Sequence, residues 1–210
     1  MSVVTIIGAG AMGSALTTPL VENGHDVRLW GTELDGTIVD ALKEGKDHPK
    51  HKYPLRKETK VFYEQELKQA MEGHDAVIMA ITSDALAKIF KRIVPHLSRE
   101  ALVVTVSKGF DYDSEGKVIL LPDLLKGILQ ENDKAGVPIV AVGGPCKANE
   151  VLYRSPSCVT YAGENSEAVK KAKGLLQTEV YNVQADGDVI GTEVAAATKK
   201  APAISLWIGG

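Results

Sequence analysis

Short apolar runs alternate along the chain with longer stretches whose apolar positions recur at helical spacing. Residues 3–7, 26–30, 76–81, 102–107 and 138–142 are apolar enough for strands buried on both faces, and 61–63, 158–161 and 180–183 are shorter runs of the same kind. Between them, 11–23, 37–44, 64–72, 83–97, 124–132, 147–153 and 166–176 carry the composition and pattern of helices. Gly24 and Gly45 stand where helices end in the left-handed conformation. Ser83 or Asp84 is placed to cap the helix over 83–97. Residues 46–59 are polar, include Pro49 and Pro54, and read as a loop; 111–117 reads as a polar turn. Pro19 falls inside the first helix, and 189–207 is helical in composition but contains Pro202. Strands alternating with helices predict an α/β fold, a doubly wound Rossmann-type parallel sheet covered on both faces. No linker or repeat divides residues 1–185, which read as one domain.

Composition narrows the function classes. Among 210 residues, 44% are hydrophobic and 24% charged, enough for a core that needs neither metal nor disulfide. A net charge of -3 argues against coating nucleic acid, and 5% aromatics is thin for stacking single strands. The two cysteines, Cys146 and Cys158, fit a reducing, cytoplasmic compartment. No run of about 20 apolar residues exists to span a membrane, and the N-terminus lacks the charged n-region of a signal peptide.

Residues 8–13, Gly-Ala-Gly-Ala-Met-Gly, match G-x-G-x-x-G between a strand and a helix. In that setting Gly8 permits the tight turn, Gly10 lets backbone approach a pyrophosphate, and Gly13 allows close helix–strand packing. The helix N-terminus supplies amide donors for the phosphates. The expected cofactor is NAD or NADP. The second strand ends Leu29-Trp30-Gly31-Thr32-Glu33. Glu33 is near the spacing of a ribose-binding carboxylate but lies past the apolar run; it reads equally as a cap of the next helix. Thr32 can bond a 2′-hydroxyl or a 2′-phosphate. Arg28 is cationic but shares a strand face with Trp30. With no carboxylate directly at the strand end, the balance tilts slightly to NADP.

Ligands of open α/β sheets bind beyond the carboxyl ends of strands. Ser107-Lys108-Gly109 and Gly143-Gly144-Pro145-Cys146 lie at such ends. Lys108 is either a solvated lysine or a charge in the cleft; Lys199 poses the same choice. Asp47, His48 and His51 offer metal-ligand atoms, but Pro49 breaks their spacing and no cysteine joins them, so a solvated loop is the preferred reading. Lys50, Lys52, Arg56 and Lys57 make that loop basic, and His25, His74 and His96 read as structural. No G-x-S-x-G or P-loop motif occurs.

Taken with residues 8–15 (GAGAMGSA), the segments 27–31, 106–109, 144–151 and 188–193 and the following Lys199 are ordered and spaced as in one family. The chain resembles the N-terminal domain of NAD(P)-dependent glycerol-3-phosphate dehydrogenases. The resemblance implies reversible hydride transfer between NAD(P)H and dihydroxyacetone phosphate, giving sn-glycerol 3-phosphate, a glycerophospholipid precursor. By motif position it makes Lys199 the general acid/base and Lys108 a contact of both substrate and cofactor. It places Gly144 and Cys146 against substrate, and Ala11, Met12, Thr32 and Ala148 against cofactor. It makes 186–210 the helical opening of a substrate domain. Three positions depart from the family: Cys146 replaces a Ser, Thr or Asn, Lys200 replaces an Asn, and Pro202 interrupts the helix. The family continues with an all-helical domain that supplies an Asp and an Arg to the substrate. Two other readings stay open, an isolated dinucleotide-binding module and a reductase of another small oxo-substrate. Exposure of 201–208 would favour a homo-oligomer.

Overall fold

Runs such as Val-Val-Thr-Ile-Ile form strands because branched side chains pack well on a pleated surface. In a computed structural model, which describes residues 1–112 and 115–198, ten strands and eight α-helices follow one another. The strands are β1 Val3–Ile7, β2 Asp26–Trp30, β3 Lys60–Phe62, β4 Ala76–Met79, β5 Leu102–Thr105, β6 Phe110–Tyr112, β7 Val118–Leu120, β8 Ile139–Gly143, β9 Ser157–Ala162 and β10 Tyr181–Asp186. The helices are α1 Ala11–Glu22, α2 Gly36–Lys43, α3 Leu67–Ala70, α4 Ser83–Ile93, α5 Leu121–Glu131, α6 Ala148–Leu152, α7 Ser166–Leu176 and α8 Val189–Thr198.

Eight strands form one sheet in the order β10-β9-β8-β5-β4-β1-β2-β3. From β3 to β8 all neighbours are parallel, as expected. Helices cover both faces. On one, Leu16 and Leu20 of α1 and Val169 of α7 meet Val4, Ile6, Ile78 and Val104. On the other, Phe90, Leu86, Leu125 and Leu129 of α4 and α5 meet Ile7, Trp30, Val77, Met79 and Val103. The period-two alternation of strand side chains divides the two cores.

Three local expectations are revised. The sheet is not wholly parallel, because β9 runs antiparallel to β8, with Ala141 opposite Ala162. Residues 144–156 stay at the carboxyl end of β8, and their helix α6 packs on α1, so the chain turns back beside β8. The polar turn over 111–117 belongs to a hairpin in which Phe110 pairs Leu120. Helix α4 takes Thr82 as its N-cap, with no side-chain bond, in place of Ser83 or Asp84. Helix α1 continues through the buried Pro19. Pro202, Lys200 and residues 201–208 lie outside the described residues.

Candidate active site

Strand β1 leads to β2 on one side, and the chain returns to β4 on the other. The sheet order therefore reverses between β1 and β4, which opens a crevice at their carboxyl ends. Gly8 sits in that crevice, its N–H bonding the Trp30 carbonyl at 2.8 Å. Its φ is +106°, and a Cβ there would lie 2.7 Å from the Ala80 carbonyl oxygen. A Cβ on Gly13 would lie 2.0 Å from the Gly8 oxygen. The protein's own packing thus demands both glycines. Gly10 differs: a Cβ would meet nothing within 4 Å. The space in front of α1 is open, and Gly10, its N-cap, offers no side chain to occupy the first-turn amides. A pyrophosphate fits this cradle of open space and unspent donors. Ala11 and Met12, in the first turn, are half-buried beside it.

At the end of β2, Trp30 is buried and Gly31 is pressed against Val39. The Thr32 hydroxyl is engaged locally, donating to Asp35 Oδ2 at 2.9 Å and accepting from the Leu34 N–H at 3.3 Å. Asp35, not Glu33, is the N-cap residue of α2. Glu33 turns to Lys88 at 2.6 Å and Arg92 at 3.7 Å, and these cations hold its carboxyl below the usual range. Arg28 is also accounted for: its guanidinium donates to the carbonyls of Gln69, Ala70 and Glu72 at the end of α3.

The carboxyl ends of β4, β5 and β8 are tied together by side chains. Ser107 donates to the Ile81 carbonyl at 2.5 Å, and Lys108 Nζ to the Gly144 carbonyl at 2.7 Å. Lys108, half-buried, is thus tied to the carboxyl end of β8 rather than extended into solvent. Gly144, at φ +110°, leaves only 3.1 Å between a hypothetical Cβ and the Cys158 oxygen. Cys146 and Ala148 follow it, both partly buried against the core. The structure therefore brings Lys108, Gly144, Cys146 and Ala148 to one rim and residues 8–13 to the adjoining one. Lys199 lies outside the described residues. Among the described residues no group of His, Cys, Asp and Glu could hold a metal. His25 accepts from the Ser2 N–H, and His74 bridges Met71 and Ser98; both are structural as read.

One residue was missed. Glu193 of α8 is 0% exposed, and among the described residues neither carboxylate oxygen has a hydrogen-bond partner. The preceding Thr192 lies against Gly143. Burial pushes the Glu193 carboxyl up to about 7, against the pull of Lys108. The sequence places it only as the last residue of the 188–193 motif and assigns it no role; its burial is revealed by the fold.

A family described as the N-terminus of NAD-dependent glycerol-3-phosphate dehydrogenase matches residues 3–169. The chain belongs to that family. The NADP(+)-dependent glycerol-3-phosphate dehydrogenase of Archaeoglobus fulgidus is 35% identical over 212 aligned residues, covering 99% of this chain and 61% of that protein. The glycerol-3-phosphate dehydrogenase [NAD(P)+] of Bacillus pumilus is 30% identical over 210 aligned residues, covering 99% and 58%. The chain thus spans about three-fifths of the length of these dehydrogenases. The crystal structure of the glycerol-3-phosphate dehydrogenase of Coxiella burnetii superposes with a TM-score of 0.79 at 26% identity, covering 93% of this chain and 57% of that one. Among the described residues no helix is long and apolar enough to cross a membrane.

Proposed function

We propose that the chain is the NAD(P)H-binding part of a cytoplasmic glycerol-3-phosphate dehydrogenase that interconverts dihydroxyacetone phosphate and sn-glycerol 3-phosphate. The observation that carries this reading is a juxtaposition. The open Gly10 cradle and the anchored Lys108 share one crevice, so a dinucleotide lying from the first toward the second brings its reactive end to a fixed cation. Residues 1–185 form the cofactor domain in this reading, and 186–210 begin the substrate domain.

When bound, the nicotinamide supplies a hydride to the substrate's carbonyl carbon. Negative charge then develops on the carbonyl oxygen, and an ammonium close by stabilises it. Lys108 holds its charge at the strand ends through the Gly144 carbonyl, suited to that oxygen or to the substrate's phosphate. Lys199 is the proton donor that completes the alcohol, and the reverse reaction returns the proton to it. Cys146 offers the substrate only a weak thiol donor. On the cofactor side, Glu33 is drawn to Lys88, and Asp35 accepts from the Thr32 hydroxyl and amide and from the Ala9 N–H. With Glu33 turned toward Lys88, the site takes NADP(H) as well as NAD(H).

The test is to mix the protein with NADPH or NADH and dihydroxyacetone phosphate and follow loss of the reduced-nicotinamide absorbance. Oxidation abolished by Lys199→Ala, and lowered by about 100-fold or more by Lys108→Met, supports the enzyme. Nucleotide binding without oxidation supports the isolated module.

A further inference from the structure

The loop over 46–59 reaches back to the glycine turn through one buried side chain. His48 is 2% exposed, and its Nε2 lies 3.1 Å from the carbonyl oxygen of Ala9, 39 residues earlier. Its Nδ1 lies 3.2 Å from the Lys50 N–H. A backbone amide can only donate and a carbonyl can only accept, so both ring nitrogens have fixed roles. Nδ1 accepts from Lys50, and Nε2–H donates to Ala9. The ring is neutral.

Ala9 stands between Gly8 and Gly10 and is itself fully buried. Its carbonyl also accepts from Ser14 Oγ at 3.0 Å, and its N–H donates to Asp35 Oδ2 at 3.3 Å. Side chains from α1, from the start of α2 and from the 46–59 loop thus converge on one residue of the phosphate turn. Ser14 and Asp35 are local to that crevice; His48 alone brings in the distant loop.

We propose that His48 is a positioning residue of the dinucleotide site: by donating to the Ala9 carbonyl it fixes the peptide between Gly8 and Gly10 so that the cradle in front of α1 stays open. The inference rests on the cofactor-binding reading above. It gives a use to a histidine whose spacing offered only a weak metal-ligand reading. It also makes cofactor affinity depend on the charge of one ring. Burial lowers the His48 pKa, with help from the neighbouring His51 and Lys50, against the Ala9 hydrogen bond. The groups facing it are His51, whose ring centroid is 4.8 Å away, Lys50 beside it, and Asp35 beyond Ala9. A proton added at Nδ1 would set two donors against each other; the ring would be pushed off the Lys50 amide and, being one rigid unit, would carry Nε2 away from the Ala9 carbonyl. Affinity then falls as pH falls through the titration of His48, below its usual 6.5.

The experiment is a fluorescence titration of the full chain with NADH between about pH 5 and pH 8, NADH being chosen because it lacks a 2′-phosphate that titrates near pH 6. His48→Gln keeps a donor for Ala9 and cannot titrate. It should bind within about threefold of wild type at the upper pH and hold that affinity on acidification. His48→Leu, shown by its melting curve to be folded, should bind about tenfold or more weakly at every pH. Wild type should weaken on acidification, and His51→Gln should follow it. Wild-type affinity in His48→Leu, or a His48→Gln pH profile matching wild type, would overturn the inference and leave the cofactor reading standing. A wild-type chain that binds neither NADH nor NADPH would overturn that reading and the inference with it.

Discussion

Around Ala9, both backbone polar groups are held by side chains from three parts of the chain. Around Lys108, one carboxylate, Glu193, is sealed from solvent with no hydrogen bond to either oxygen among the described residues. The two rims of the same crevice therefore differ in what they leave unspent. The β1–β2 rim holds both polar groups of Ala9 by side chains, leaves the first-turn amides of α1 and the space over Gly10 open, and is ready for a nucleotide. The β5–β8 rim carries buried polarity that costs about 1–3 kcal/mol while unpaired. Folds keep such costs where they hold or transform something.

The largest expected effect tests whether the first rim is as closely built as it looks. Gly13→Ala sets a Cβ 2.0 Å from the Gly8 carbonyl oxygen, with only backbone to give way. It should destabilise the chain by about 3 kcal/mol or more, read as the urea midpoint, and abolish nucleotide binding. A melt within about 1 kcal/mol of wild type would show that this rim is looser than described.

Glu193→Gln probes the other rim. The folded-state pKa of Glu193, about 7, lies above the carboxyl's ordinary 4.5, so the folded protein holds the proton more tightly. Its contribution to stability is fully present below pH 4.5 and is lost as pH rises through about 7. At about pH 8 the neutral Gln variant should be more stable than wild type, by on the order of 2–3 kcal/mol. The gap should close on acidification. Equal stability at both ends of the range would show that Glu193 is paired or hydrated, and would remove the contrast between the rims.

Gly10→Ala should separate stability from binding. The added methyl meets nothing in the protein, so the melt should move little. Nucleotide affinity should drop about tenfold or more, because the methyl stands where the pyrophosphate approaches. Unchanged affinity would move the nucleotide elsewhere. The smallest effect concerns cofactor choice: Lys88→Met releases Glu33 and should weaken NADPH relative to NADH by about threefold. No change in that ratio would mean that Glu33 does not face the 2′ position.

Much of this was legible from residue pattern. Strands such as β1 and β4 are nearly continuous apolar runs, β2 is closed by Gly31, and the amphipathic period marks helices such as α7 at both ends. The glycine roles at residues 8, 10 and 13 follow from the strand–turn–helix setting. Pairing direction did not show, because local hydropathy is the same whether β9 lies parallel or antiparallel to β8. The place of Lys108 needed the Gly144 carbonyl, 36 residues away, and the role of His48 needed Ala9, 39 residues away. Contacts of that range are written in the fold rather than in any window of sequence. The domain division at 185 and the catalytic assignment of Lys199 rest on family motif order and belong to the proposal.

The central claim is that this chain holds a reduced nicotinamide dinucleotide at the Gly10 cradle on its own. Isothermal titration of the wild-type protein with NADPH, with Gly10→Ala in parallel, tests it most directly. The account predicts one saturable site in the wild type and at least about tenfold weaker binding in Gly10→Ala at an unchanged melting temperature. Absence of wild-type binding, or equal affinity in the two proteins, would contradict it.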